Sequence, residues 1–371
     1  MHPLSTVASP PGRRRKSRQF LAQNRAFGTA LLVLTLAVPA ACDRGNPSPS
    51  DAQAFRSVSD SRLTMGSALR LTAWTTDDAA ARAAFEAVFD EFDRLDGLMS
   101  VWREGSDVLR LNAAAGGGAV PVGPEVLDAL EIAAQVSEWT GGKFDVSFGA
   151  LSGLWKFDHD QNNRVPDPAA IATRLPLVGY EHIHVNRQAG TARLARAGMS
   201  VHLGGIGKGY AVDRAVAILR TYGLADFLIQ AGGDLYVSGA PDGRPWRLGI
   251  QDPRGPANES FAVIELTNAT FSTSGDYERF FFQNGRRYHH ILDPDRGEPA
   301  RSSRSVTIVT NRAVLADALS TGVFVLGPRD GMALVERLSD VEAVIVGADN
   351  EVLVSSGLVP YVTWSAPTEG P

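Results

Sequence analysis

Two periods of apolar residues run along this chain. The stretch MGSALRLTAW, 65–74, has the apolar and polar spacing of a strand. Beyond it Ala81, Phe85, Val88, Phe92, Leu95 and Met99 step by four and three, which predicts a helix with one apolar stripe, and Asp77 is placed to cap its start. A second helix is expected from Pro124 to the glycine pair 141–142. Residues 158–176, rich in Asp, Asn and Pro, read as a surface excursion. A third helix is expected over about 209–222, with Gly223 as its stop. Strands follow at 226–231, 246–251, 261–267, 287–292 and 305–310. Then come a fourth helix near 313–326, a short helix near 330–338, and a hairpin within VEAVIVGADNEVLVSS. The sequence has no internal repeat. Helices and strands in this irregular order predict an α+β fold rather than a doubly wound sheet.

The first 41 residues stand apart from this pattern. Arg13, Arg14, Arg15, Lys16, Arg18 and Arg25 precede the apolar run ALLVLTLAVPAAC, and the segment contains no acid. A basic region, a short apolar region and small residues before a cysteine make an export signal of the lipoprotein type, 1–41, with Cys42 as the lipid-carrying first residue. The run is short for a membrane span. Cys42 is the chain's one cysteine, so the exported part has neither a disulfide nor a thiolate metal site. Residues 42–60 are polar, with Pro, Ser and Gly, and read as a flexible tether. The folded domain is expected over 61–365, exported, anchored to the membrane, and facing the periplasm or cell exterior.

The signal also hides the protein's charge. The whole chain carries 36 basic and 41 acidic residues. Removing the six basic residues of the signal leaves 30 against 41, a net −11. So acidic a body excludes nonspecific nucleic-acid binding.

Five segments carry candidate chemistry. VHLGGIGKGYAVDRAV, 201–216, packs glycines and Lys208 where a helix begins. It is not a P-loop, since His202 and Gly209 stand where glycine and a hydroxyl residue are required. Nor is it a dinucleotide fingerprint, because Tyr210 replaces the last glycine. It can be a tight strand-to-helix turn, or a turn whose amides face an anion. On the fourth helix Asp317 and Thr321, four residues apart, share one face. They suit Mg²⁺ as hard oxygen ligands, or Asp317 bonds a nearby backbone amide while Thr321 caps its own turn. In YHHILDPDRGEPA, alternation sends His289 and His290 to opposite faces, so one at most faces a cleft. GGKFDVSFGALSGLW and ATFSTSGDYERFF offer a seat for a flat heterocycle and a hydroxyl-rich turn, or a plain strand and hairpin connection.

Taken in order, these segments resemble the ApbE family, the FAD:protein FMN transferases. The resemblance lies in MGSALRL, LDGLMSVW, GGKFDVSFGALSGLW, HLGGIGKGYAVD, AGGDLYVSG, WRLGIQDP, STSGDY, HHILDPDRGEP and ADALSTGVFVLG, which together span nearly all of 65–330. It implies an α+β, T-fold-like domain that uses Mg²⁺ to cleave FAD and transfers FMN to a threonine or serine hydroxyl of exported segments of membrane redox complexes, releasing AMP. By motif position it implies FAD contacts at Met65, Trp102, Lys143, Phe144, Asp145, Lys208 and Leu292. Lys143 stands where alanine is often found, and Lys208 where some members carry glutamate. The metal would be held by the Ala211 carbonyl, Asp317 and Thr321. His290, with an ordinary imidazole pKa of about 6.5, is the candidate for polarising the phosphate or deprotonating the acceptor. Two other activities fit the same residues: an FAD pyrophosphatase, and a flavin-binding lipoprotein that does not cleave its ligand.

Overall fold

The computed structural model describes residues 54–157, 160–256 and 259–365. Every described residue belongs to one unit of the chain. The signal-like segment, Cys42 and the tether as far as 53 lie outside the described residues.

Eight strands form the main sheet: β1 (Arg56–Thr64), β2 (Ser67–Thr75), β3 (Asp226–Ala231), β4 (Asp234–Ser238), β5 (Ala269–Gly275), β6 (Ser303–Thr310), β7 (Glu342–Gly347) and β8 (Val352–Val354). They lie side by side in chain order, and every neighbouring pair is antiparallel. Alternation supplies two cores, one on each face. Leu69, Leu71, Val306, Ile308, Ala343 and Ile345 point to the helices. Val237, Phe271, Val309 and Val344 point to a second core completed by the small sheet of 246–251, 260–266 and 362–364. The alternation in SVTIVT therefore separates two apolar cores rather than inside from outside.

The helices α1 (Asp78–Met99), α2 (Pro124–Thr140), α3 (Gly207–Thr221), α4 (Ala313–Leu326) and α5 (Pro328–Val335) cover the first face. All six residues of the expected α1 stripe are buried, and the Asp77 carboxylate accepts the Ala80 N–H at 2.9 Å. Gly141 and Gly142, at φ 62° and 81°, end α2 in the left-handed region where side chains are disfavoured.

Three boundaries differ from expectation. Strand β1 starts at Arg56, inside the stretch read as tether. It is an edge strand whose buried positions are Val58 and Thr64 alone, so its sequence has almost no apolar alternation. The expected strand 287–292 is broken: Arg286–His289 pairs with Phe280–Gln283, and Leu292–Asp293 pairs with Glu298–Pro299. Within the expected surface excursion, Pro168–Arg174 forms a short helix capped by Asp167. Among the described residues, no helix is long and apolar enough to cross a membrane.

Candidate active site

A cleft of about 310 Å³ opens where the turn before α3, helix α4 and the loops after α2 and β5 converge. Gly205 lines it from the turn, Lys208 from the first turn of α3, Asp317 and Thr321 from α4, Lys143 and Phe144 from the loop after α2, and His290 and Leu292 from the broken strand. Trp102 stands in its lining at 58% exposure.

The floor is set by the packing of α3 against α4. Gly209 permits it, since a Cβ there would meet the Ala313 carbonyl and lie 2.7 Å from the Asp317 Cβ. The Gly209 N–H donates to Asp317 Oδ2 at 2.9 Å, and Asp317 Oδ1 lies 3.9 Å from Lys208 Nζ. Burial, with Asp234 close by, raises the Asp317 pKa well above the usual carboxylate range, against the pull of Lys208 and the Gly209 N–H. Lys208 pairs directly with Asp234, whose other oxygen accepts the Ser272 hydroxyl. Burial disfavours the ammonium, but Asp234 and Asp317 outweigh it, and the Lys208 pKa is raised.

Hydroxyls gather beside this pair. Ser274 Oγ is 2.8 Å from Ser320 Oγ and 3.2 Å from Thr321 Oγ1. A Cβ on Gly205 would lie 3.5 Å from Thr321 Oγ1 and 3.4 Å from Phe144 Cε2, so the turn passes directly over Thr321. Ala211 is fully buried inside α3 and is not among the residues lining the cleft.

Of the two histidines, only His290 lines the cleft. His289 is buried, with its Nε2 2.8 Å from the Ala300 carbonyl and its Nδ1 accepting the Ile291 N–H at 3.3 Å. It also sits edge-on to Phe324. His290 occupies the break between the short strands and lines the cleft; its Nδ1 is buried and has no hydrogen-bond partner. Burial, aided by Arg279, pushes the His290 pKa down to about 3, so the ring is neutral near pH 7 in the free protein. The ordinary value expected from sequence does not hold there.

Other expected contacts divide. Leu292 and Phe144 are buried walls of the cleft. Met65 adopts φ 46° in the β1–β2 turn, a costly conformation for a side chain, and its Cε would meet a Cβ on Gly207 at 3.6 Å. Asp145 borders the cleft, but its carboxylate accepts the Ser147 N–H and hydroxyl and the Tyr180 N–H, which makes it a turn holder. Burial raises its pKa. Lys143 is bound to Asp293 and Asp295. Asp234, Ser274, Arg279 and His202 also line the cleft without having been singled out from sequence. For Asp234 a signal existed: an acid following two glycines between two strands.

This fold is shared with solved structures of flavin transferases. The ApbE protein of Thermotoga maritima superposes with a TM-score of 0.76 at 32% identity, covering 82% of this chain and 99% of that one. The flavin transferase ApbE of Vibrio cholerae gives 0.75 at 27% identity, over 83% and 99%. Among named relatives, the FAD:protein FMN transferase of Treponema pallidum is 34% identical over 323 residues, 83% of this chain and 89% of its own length. The ApbE family profile matches residues 65–345, and the chain belongs to the ApbE family.

Proposed function

We propose that this protein is an FAD:protein FMN transferase that moves FMN from FAD onto a threonine or serine hydroxyl of an exported acceptor and releases AMP. The observation that carries this reading is the convergence of the glycine turn, Lys208, Asp317 and Thr321 in one cleft. It is supported by the names of the family's members.

The site's chemistry fits a magnesium ion. Asp317 is a buried carboxylate whose charge Lys208 and one N–H only partly offset, and a divalent cation would favour its ionised form. Among the described residues there is no cluster of three or more His, Cys, Asp or Glu side chains that could hold a metal. The residues that would hold the ion are of another kind: the Asp317 carboxylate and the Thr321 hydroxyl, with the Ala211 carbonyl of α3 as the third donor that the family resemblance implies. When bound, Mg²⁺ would neutralise pyrophosphate charge and stabilise charge developing in the transfer.

In the proposed reaction the acceptor oxygen bonds to the FMN-side phosphorus. The bond from that phosphorus to the bridging oxygen breaks, and AMP leaves with the electron pair. Lys208 and Arg279 bring positive charge to the anionic substrate. His290 takes the acceptor's proton at Nδ1. Burial chiefly depresses this imidazole, and bound pyrophosphate would offset only the smaller contribution of Arg279 and its neighbouring cations.

Incubating the protein with FAD, Mg²⁺ and an exported redox polypeptide should add one FMN to the acceptor by mass, with one AMP per addition. FMN and AMP without a mass gain would establish a pyrophosphatase instead, and intact FAD a binding protein. We also propose that Cys42 is lipidated and anchors the protein outside the cytoplasmic membrane. A Cys42→Ala protein that still fractionates with membranes would overturn this.

A further inference from the structure

We propose that Lys143 is a positioning residue for FAD: its ammonium clasps Asp293 and Asp295 and holds two walls of the cleft at a fixed spacing. The proposal rests on the reading of this cleft as the FAD site. Lys143 Nζ lies 2.9 Å from Asp293 Oδ1 and 2.7 Å from Asp295 Oδ2, partners 150 and 152 residues away in sequence.

Each side of the clasp is continuous with the cleft wall. Phe144, next to Lys143, is buried against the glycine turn, while Leu292 and Pro294 flank Asp293 and line the opposite wall. That second wall is weakly built on its own, since Leu292–Asp293 forms a ladder of only two pairs with Glu298–Pro299. Its turn is well organised locally. The Asp293 carbonyl accepts the N–H groups of Arg296 and Gly297, and Trp155 Nε1–H donates to the Gly297 carbonyl at 2.7 Å. Asp293 Oδ1 accepts the Asp295 N–H as well as Lys143, so the carboxylate is already oriented towards the ammonium.

Burial and charge rank the two arms. The side chains of Lys143 and Asp293 are 22% and 14% exposed, whereas Asp295 is 68% exposed. Solvent screens the Asp295 arm more, so Asp293 is the principal partner. Burial favours loss of the Lys143 proton, but the two carboxylates prevail and the pKa is raised. Spacing fixed before the ligand arrives reduces the ordering cost of binding.

Equilibrium titration of the full-length protein with FAD, followed by flavin fluorescence, tests this with a double-mutant cycle. Lys143→Ala and Asp293→Asn should each weaken FAD binding about 3–10-fold, and the double variant should be no weaker than either single one. Lys143→Arg should bind within about twofold of wild type, and all variants should keep the wild-type Tm within a few degrees. Should Asp293→Asn fold poorly, Asp295→Asn completes the cycle, with a loss of about twofold that vanishes in the Lys143→Ala background. An unchanged affinity in Lys143→Ala would overturn the clasp. So would losses that add in the double variant, which would mean that Lys143 touches FAD directly. If wild type itself takes up no FAD, the reading of the cleft fails and the clasp with it.

Discussion

The backbone N–H of Gly209 reaches the carboxylate of Asp317, 108 residues further along the chain, at 2.9 Å. That bond joins the first turn of α3 to the middle of α4, and it exists because residue 209 has no side chain. Gly209→Ala would drive a methyl group into the Ala313 carbonyl and the Asp317 Cβ. Overpacking of this kind costs about 1–3 kcal/mol. We expect a Tm lower by several degrees and a transfer rate lower by more than the stability loss explains, because Asp317 moves. A variant that melts early but transfers normally would separate the packing from the site.

Asp317→Asn keeps an oxygen for the Gly209 N–H while losing the charge. The fold should survive, and the Mg²⁺ requirement should rise at least as far as the ~10–100-fold typical of losing a supporting residue. Thr321→Ala should raise it less, because water can replace a neutral hydroxyl. Transfer by Asp317→Asn at ordinary Mg²⁺ would remove this aspartate from the metal site.

The histidines should differ in kind. His290→Ala is expected to slow single-turnover FMN transfer at saturating FAD by about 10²–10⁴-fold, the usual worth of a proton-transfer group. His289→Ala loses a buried hydrogen bond and ring packing, and should lower Tm with little effect on that rate. A rate defect in His290→Ala that extra FAD cures would make His290 a ligand-positioning residue.

The same two rings predict an acid weakness. Both have lowered pKa values, His290 down to about 3, chiefly through burial. Unfolding restores a value near 6.5, so between about pH 6.5 and 3 the unfolded state binds more protons. Stability from these groups is full above pH 6.5 and is lost as pH falls through that window. His290→Gln should flatten the fall in Tm from pH 7 to 5. An identical slope in the variant would show that other groups control the acid limb.

Much of the framework was legible because apolar periodicity is a local signal. The α1 stripe, its Asp77 cap and the α2 stop at Gly141 follow from neighbours in sequence. What was not legible depends on distant partners. Asp145 and Lys143 line the cleft, but no neighbour in sequence shows that Tyr180 donates to the one or that Asp293 and Asp295 hold the other. Ala211 is placed as a carbonyl donor by its motif alone, and its burial inside α3 is a feature of the fold that spacing does not show. The depressed pKa of His290 comes from burial and Arg279, which only the fold brings together.

The order of the main sheet also governs how this protein can fold. About 150 residues separate β2 from β3, while β3 and β4 are joined by Gly232 and Gly233 alone. Closing so long a loop adds only about 1–1.5 kcal/mol over closing one of thirty residues, because the entropy grows logarithmically. Time is the larger cost, since pairings distant in sequence form late. Phe144 and Lys208 arrive with the β2–β3 insertion, His290 with β5–β6, and Asp317 with β6–β7. The catalytic cleft is therefore a product of the last pairings to close, and a chain cut within any of those three insertions keeps strands but no site.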